Sequence, residues 1–376
     1  MKLSREALRG YILEEVLAYL IRNTGYRLLV DKDQDPQELD WKYNGLVVKG
    51  RGGVHQVDVL GELSWIPAFT YPLRLFVEAK FRGARTGIAE VRNMVGTLLD
   101  VNQNNLPQVI RQAGGTPQLR PKYYYAGAIF STSGFSAPAM DMGLAHSISL
   151  IELNMPEFQP LLDGVTATAD SIVQWMQPEL QEDGLGEQDS DASEESAMPG
   201  MHQSRSRFLF ALRTALRRTL KTQTSEERQE ITELASDIAP QLERTTAMAS
   251  QVGQLFVGIG QGPFMLVLKA DDPARFLQYA RQHPTHDVMI SWTRALGDGA
   301  TWSITPSEQD EALGHYRLTF RLPKPIRDWV FSAENIPKTA MDAKRRYFSN
   351  ITIFHTEGDR DLLIRLRFNP LEIRTE

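Results

Sequence analysis

Two short stretches constrain the architecture more than anything else in the chain. Leu73-Arg74-Leu75-Phe76-Val77-Glu78-Ala79-Lys80-Phe81 and, upstream, Val54-His55-Gln56-Val57-Asp58-Val59-Leu60 alternate apolar residues with others, the period of a strand half buried in a sheet. In the second stretch, Leu73, Leu75, Val77, Ala79 and Phe81 fall on one face and Arg74, Phe76, Glu78 and Lys80 on the other. Glu78 and Lys80 therefore project side by side. In the first, Gln56 and Asp58 share the face opposite Val57 and Val59, so pairing the two strands brings Asp58 next to Glu78 and Lys80.

Two carboxylates and an amine at one end of a sheet have a chemical logic. A hard divalent cation, Mg²⁺ or Mn²⁺, takes oxygen ligands, and Asp58, Glu78 and the carbonyl of Ala79 supply them. Such a cation lowers the pKa of a bound water and offsets charge building on a phosphodiester. Lys80 then orients the water or stabilises the pentavalent state. The competing reading is that Glu78 and Lys80 form a same-face ion pair worth roughly 0.2–1 kcal/mol. About one Glu-x-Lys is expected by chance in a chain this long, so the weight rests on the turn and strand from Gly52 to Asp58 that precede it.

The first segment, Leu3 to Asn23, reads as an amphipathic helix with Ser4 as N-cap. Leu13, Val16, Leu17 and Leu20 define its buried stripe; at about 100° per residue Glu14 falls on the flank and Glu15 points nearly opposite. Glu14 can thus reach a site at the edge of the core, or remain a solvated flank residue. Strands are expected at Arg27–Val30, Trp41–Val48, Tyr123–Ser131 and Ile148–Leu153, and helices at Ile88–Val101 and Ala137–Ala145. Trp65-Ile66-Pro67 lies in a loop expected to cover the site. Arg82 and Arg85 follow the candidate site, with Arg82 placed to touch phosphate.

An Asp followed some twenty residues later by Glu-x-Lys resembles the PD-(D/E)xK nuclease superfamily. Gly10-Tyr11-Ile12-Leu13-Glu14 looks like the first-helix pattern of its Mrr-like branch, and Ala128 to Ser136 with Ile148 to Ile151 resembles the last strand-helix-strand of Mrr-type endonuclease domains. The resemblance covers about the first 155 residues. It implies a restriction-endonuclease-like mixed central sheet flanked by helices, Glu14 completing a metal site with Asp58, Glu78 and Ala79, and Gln56 as a polar neighbour of metal or water. It further implies DNA as substrate and bacterial restriction or antiphage defence as the setting. Glu-x-Lys replaces the Gln-x-Lys common in that branch. Two other readings stand beside this one: a repair nuclease acting on branched DNA, and a non-catalytic partner-binding subunit that keeps the fold.

The 376 residues suggest two or three domains. Residues 1–178 form the nuclease-like unit, 179–204 an acidic disordered linker and 205–376 a separate α+β accessory domain. Glu179 to Gly200 holds eight acidic residues and no basic one, so the formal net charge of −6 comes from this stretch and the remainder is slightly basic. Acidity is therefore no argument against nucleic acid. A basic amphipathic helix, Arg205 to Lys221, presents Arg213 and Arg217 to a phosphate backbone or a partner, and Lys344-Arg345-Arg346-Tyr347-Phe348 combines charge with aromatics suited to backbone contact and stacking. Strands are expected at Leu255–Ile259, Phe264–Leu268, Val288–Trp292, Thr301–Ile304, Tyr316–Leu322, Ile351–Phe354 and Leu362–Phe368. With no cysteine, disulfides, thiolate zinc sites and Cys nucleophiles are excluded. No run approaches the ~18 apolar residues of a bilayer span, and the start lacks the signature of a signal peptide. A cytoplasmic protein, without membrane association, is expected. Since one such site cuts one strand, duplex cleavage calls for a homodimer, a partner protein or successive nicks.

Overall fold

The computed structural model describes residues 4–42, 45–65, 70–104, 109–110, 118–119, 122–182, 212–214, 216, 236–237, 242, 248, 251–261, 265–294, 300–308, 314–357 and 360–368. The chain is mixed α/β, with several sheets and a closed barrel of seven strands. Most of the stretch expected as a linker, and Arg217, Ile66 and Pro67, lie outside the described residues.

Helix α1, Arg5–Arg22, begins where the Ser4 hydroxyl accepts from the Ala7 N–H, satisfying one of the donors that a helix start leaves free. After it the chain reverses at Gly25, whose φ of +81° and position against the Phe354 side chain leave no room for a Cβ. A five-stranded sheet follows, ordered β1 (Tyr26–Leu29), β5 (Val59–Leu63), β6 (Leu73–Lys80), β9 (Tyr124–Ser131) and β10 (Ser149–Glu152). Its β1–β5 and β5–β6 pairs are antiparallel, and β6–β9 and β9–β10 are parallel. A second sheet joins β2 (Leu39–Lys42), β3 (Gly45–Lys49) and β4 (Val54–Gln56), and a small hairpin pairs β7 (Val109–Ile110) with β8 (Gln118–Leu119).

Central position explains why β6 departs from the half-buried strand expected. Leu75 and Val77 face a core shared with α1 and α4 (Gln159–Glu182), whereas Phe76 faces one shared with α2 (Ile88–Asn102) and α3 (Ala137–Ala145). Both faces are covered. Helix α4 also enters the first residues assigned to the linker. Arg74, expected on a polar face, is fully buried. It donates to Glu62 (2.8 Å), Asp35 (2.7 Å) and the Tyr125 hydroxyl (3.0 Å), with its guanidinium 3.3 Å from the centre of the Tyr123 ring.

The stretch Val54–Leu60, expected as one strand, is two. Strand β4 pairs with β3 and β5 pairs with β6, with a bend between them at Val57 and Asp58. The chain changes sheets there because Val57 still bonds back to Leu46, while Val59 is already opposite Val77.

The second half closes on itself in the order β11 (Leu255–Ile259), β12 (Met265–Ala270), β15 (Leu318–Phe320), β14 (Ala300–Pro306), β13 (Thr285–Arg294), β17 (Arg360–Arg367), β16 (Asn350–Glu357) and back to β11. Trp302, Ile304, Leu318, Phe320, Ile353 and Leu366 fill its interior beneath α5 (Pro273–Gln282), α6 (Lys324–Phe331) and α7 (Ile336–Tyr347). The expected α+β content is present, but the barrel is not packed as an independent body. Phe256 points into it, whereas Leu255 and Val257 join the core around α1. The uninterrupted apolar run of β11 is the mark of a strand covered on both faces. Arg321 adds an ion pair with Glu157 (2.7 Å) across the same boundary. Among the described residues no helix is long and apolar enough to cross a membrane.

Removing the Arg74 guanidinium strands two carboxylates in a poorly solvated pocket. Arg74→Met is expected to lower the unfolding free energy in urea by about 3–5 kcal/mol; a loss under about 1 kcal/mol contradicts the central role of this network.

Candidate functional site

The sheet-changing bend sets the site. Asp58, at the bend, turns its carboxylate to β6 and accepts a hydrogen bond from the Ala79 N–H at 2.8 Å. This anchors the carboxylate between Glu78 and Lys80, whose side chains form an ion pair of 2.6 Å. The strand register agrees, since Val59 lies opposite Val77 and the next residues along are Asp58 and Glu78. Asp58, through the Ala79 N–H, and the Glu78–Lys80 pair are thus brought to the same end of β6.

The strand end carrying Lys80 is fixed from the neighbouring turn. Thr132 donates its backbone N–H to the Lys80 carbonyl (3.0 Å), and its hydroxyl accepts from the Arg82 N–H (3.1 Å). The Ser133 hydroxyl donates to the Ala84 carbonyl (2.5 Å), and the Thr86 and Ser131 hydroxyls bond each other at 2.8 Å. The Ser-Thr-Ser run at 131–133 thus clamps the loop leaving the site. Its composition signals hydroxyl-to-backbone bonding, but its partners 45–52 residues away could not be read from it.

Glu14 arrives from α1. Its side chain is 14% exposed and receives the Arg213 guanidinium at 2.5 Å. Arg213 Nε stands 3.4 Å from Glu15, whose side chain is 4% exposed. Glu15 was expected to point away from the core. It is buried because this part of α1 is covered on most sides, with buried residues at Leu13, Val16, Leu17 and Ala18 flanking it, and Leu212 and Leu216 pack on the same core.

Electrostatics ties these groups together. Burial raises the Asp58 carboxyl above its ordinary value; the Ala79 N–H and the Lys80 and Arg213 charges pull it back, Glu78 pushes it further up, and the net direction is upward. Burial likewise pushes Glu14 up to about 8, opposed by Arg213 and reinforced by Asp58 and Glu15. The Glu78 charge thus acts on Asp58, and the Asp58 and Glu15 charges act on Glu14.

The donor set consists of carboxylate and carbonyl oxygens, which suits a hard divalent cation. Asp58, Glu78, the Ala79 carbonyl and Glu14 carry oxygens of that chemistry. Their side chains are turned to Lys80, Arg213 and the Ala79 N–H, and among the described residues no three His, Asp or Glu groups converge as a ready metal cage. Gln56 stands exposed at the end of β4, opposite Val47 on the three-stranded sheet, two residues before Asp58.

The basic residues divide. Arg82 pairs with Glu90 at 2.8 Å. Arg213 faces inward to Glu14 instead of outward to a phosphate backbone. Arg345 and Arg346 are exposed in the last turn of α7. Lys344 is 9% exposed, with its amine 5.7 Å from the centres of both the Trp302 and Phe368 rings, and burial lowers its pKa. It is turned into the barrel because only one side of that short helix faces solvent.

A carboxyl whose folded pKa lies above its unfolded value favours the folded state at low pH and loses that advantage as pH rises through the folded pKa. For Glu14 the window runs from about 4.5 to about 8. Thermal melts of Glu14→Gln and the parent chain are expected to diverge between pH 5 and pH 9, with the variant gaining about 3 °C or more relative to the parent at the alkaline end. Parallel pH profiles contradict the burial of this carboxyl.

No protein-family model matches the chain, and no curated protein matches it. Among solved structures it is similar to one titled "Crystal Structure of Protein of Unknown Function AF1548", with a TM-score of 0.32 and 13% identity over 64% of this chain and 98% of that one.

Proposed function

We propose that the chain is a metal-dependent DNA endonuclease that hydrolyses phosphodiester bonds, built on a restriction-endonuclease-like sheet. The observation that carries this reading is Asp58 locked onto the Ala79 N–H at 2.8 Å beside the Glu78–Lys80 pair, with the Asp58 charge near enough to Glu14 to raise the Glu14 pKa. The mixed order β1-β5-β6-β9-β10 and the β9–α3–β10 unit supply support for the finer fold assignment, as does the Mrr-like resemblance of the same segments.

Asp58, Glu78, the Ala79 carbonyl and Glu14 would hold Mg²⁺ or Mn²⁺. When bound, the cation supplies a water of lowered pKa and positive charge against the phosphate. Asp58 is held in place by the backbone, so its oxygen needs little reorganisation. Lys80, on the same strand face as Glu78, positions the attacking water and offers a proton-bearing amine to the developing charge. Arg82, at the clamped turn, and exposed Arg345 and Arg346 provide phosphate contacts whose contribution falls with salt. Restriction or antiphage defence in the cytoplasm is the setting that the resemblance favours, with duplex cleavage through a homodimer or a partner protein.

The test is cleavage of supercoiled plasmid in Mg²⁺. Asp58→Ala, Glu78→Ala and Lys80→Ala are each expected to lose at least about a hundredfold in rate, and EDTA to stop the reaction. Cutting that survives EDTA or Asp58→Ala overturns the mechanism. Strong preference for branched over linear duplexes turns the reading to junction repair, and DNA or protein binding without turnover turns it to a scaffold.

A further inference from the structure

Arg213 reaches the site from a distant part of the chain, 199 residues from its partner Glu14. Its guanidinium lies on Glu14 and beside Glu15, and its charge also acts on Asp58. We propose that Arg213 is a tethered cation that keeps the carboxylate site closed, and that a divalent ion must displace its side chain from Glu14 to load. The inference rests on the metal-site reading above and names how that site is regulated.

Three observations support it. First, charge: Glu14, Glu15 and Asp58 are solvent-poor carboxylates that require neutralisation, and Arg213 supplies it in the position where a metal ion would. A guanidinium and a divalent cation cannot both hold Glu14 at contact distance without repelling each other. Second, anchorage: Leu212 and Leu216, on either side of Arg213, are fully buried in the core that contains Leu13 and Val16. The backbone is held, so displacement needs only rotation of the long side chain. Third, imperfection: Arg213 Nε is shielded from solvent and lacks a hydrogen-bond acceptor at proper geometry. A buried donor whose nearest carboxylate oxygen stands 3.4 Å away gains little, so the side chain is held mainly by its contact with Glu14.

Gly45, at the start of β3, lies so close that a Cβ there would sit 3.6 Å from Arg213 Nη1, and the Tyr11 ring centre is 5.4 Å from the guanidinium carbon. These groups flank the guanidinium.

Mn²⁺ titration of the full chain by calorimetry tests the proposal without depending on activity. Arg213→Met is expected to bind Mn²⁺ about tenfold more tightly than the parent chain, Arg213→Lys to bind close to the parent, and Asp58→Asn in the Arg213→Met background to lose the gain. Equal Asp58-dependent binding in parent and Arg213→Met sinks the gate and leaves the metal site standing. Binding that ignores Asp58 in every background sinks the metal site itself, and the gate with it. Should Arg213→Met not fold, the parent chain decides: the Nε–H signal of Arg213, assigned by its absence in Arg213→Lys, is expected to shift and exchange faster with water at saturating Mg²⁺. An unchanged signal overturns the proposal.

Discussion

The site depends on one hydrogen bond made where the chain changes sheets. Asp58 could not be held at the end of β6 by side-chain packing alone, because a carboxylate leaving water needs a donor for its charge. The Ala79 N–H provides it at 2.8 Å, and by doing so fixes Asp58 relative to Glu78 and Lys80, the residues on either side of that donor. Everything else at the site adjusts to this contact: the bend at Val57–Asp58, the pairing of Val59 with Val77, and the hydroxyl clamp from Thr132 onto Lys80.

Placing further acids beside Asp58 makes the cluster costly in the absence of a cation. Burial raises both Asp58 and Glu14, helped by the Glu78 charge at Asp58 and by the Asp58 and Glu15 charges at Glu14, and the chain answers with its own cations, Lys80 on Glu78 and Arg213 on Glu14 and Glu15. The same physics operates with opposite sign at the far end of β6, where buried Arg74 is neutralised by Glu62 and Asp35. There the pairing is complete, with aromatic cover from Tyr123; at the Asp58 end a donor remains unmatched. One end of the strand has its buried charge fully matched, and the other does not.

Much of this was legible in the residues. Alternation placed β6 and put Glu78 beside Lys80, the helical period placed α2 and α3, and Ser4 marked the start of α1. The Asp58 convergence followed from pairing two strands. What could not be read from sequence depended on contacts between distant segments. Periodicity assigns one face to Arg74, but not the three acceptors that allow it to be buried. It sent Glu15 toward solvent, because a helical wheel cannot anticipate a turn near residue 213 covering the second side of α1. It likewise took Val54–Leu60 as one strand, since the bend arises from competition between β3 and β6 for partners. Barrel closure was hidden for the same reason: each strand signalled its own existence, and only β11, apolar at Leu255, Phe256 and Val257, hinted that one wall would be shared with the first unit.

The central claim is that oxygens of Asp58 and Glu78, with the Ala79 carbonyl, form one cation site. Crystals soaked in Mn²⁺ and measured at the manganese absorption edge give the most direct answer. The account predicts an anomalous peak within about 2.0–2.6 Å of these oxygens, with the Glu78–Lys80 pair opened. A peak elsewhere, or none at a Mn²⁺ concentration that calorimetry shows to be saturating, contradicts it.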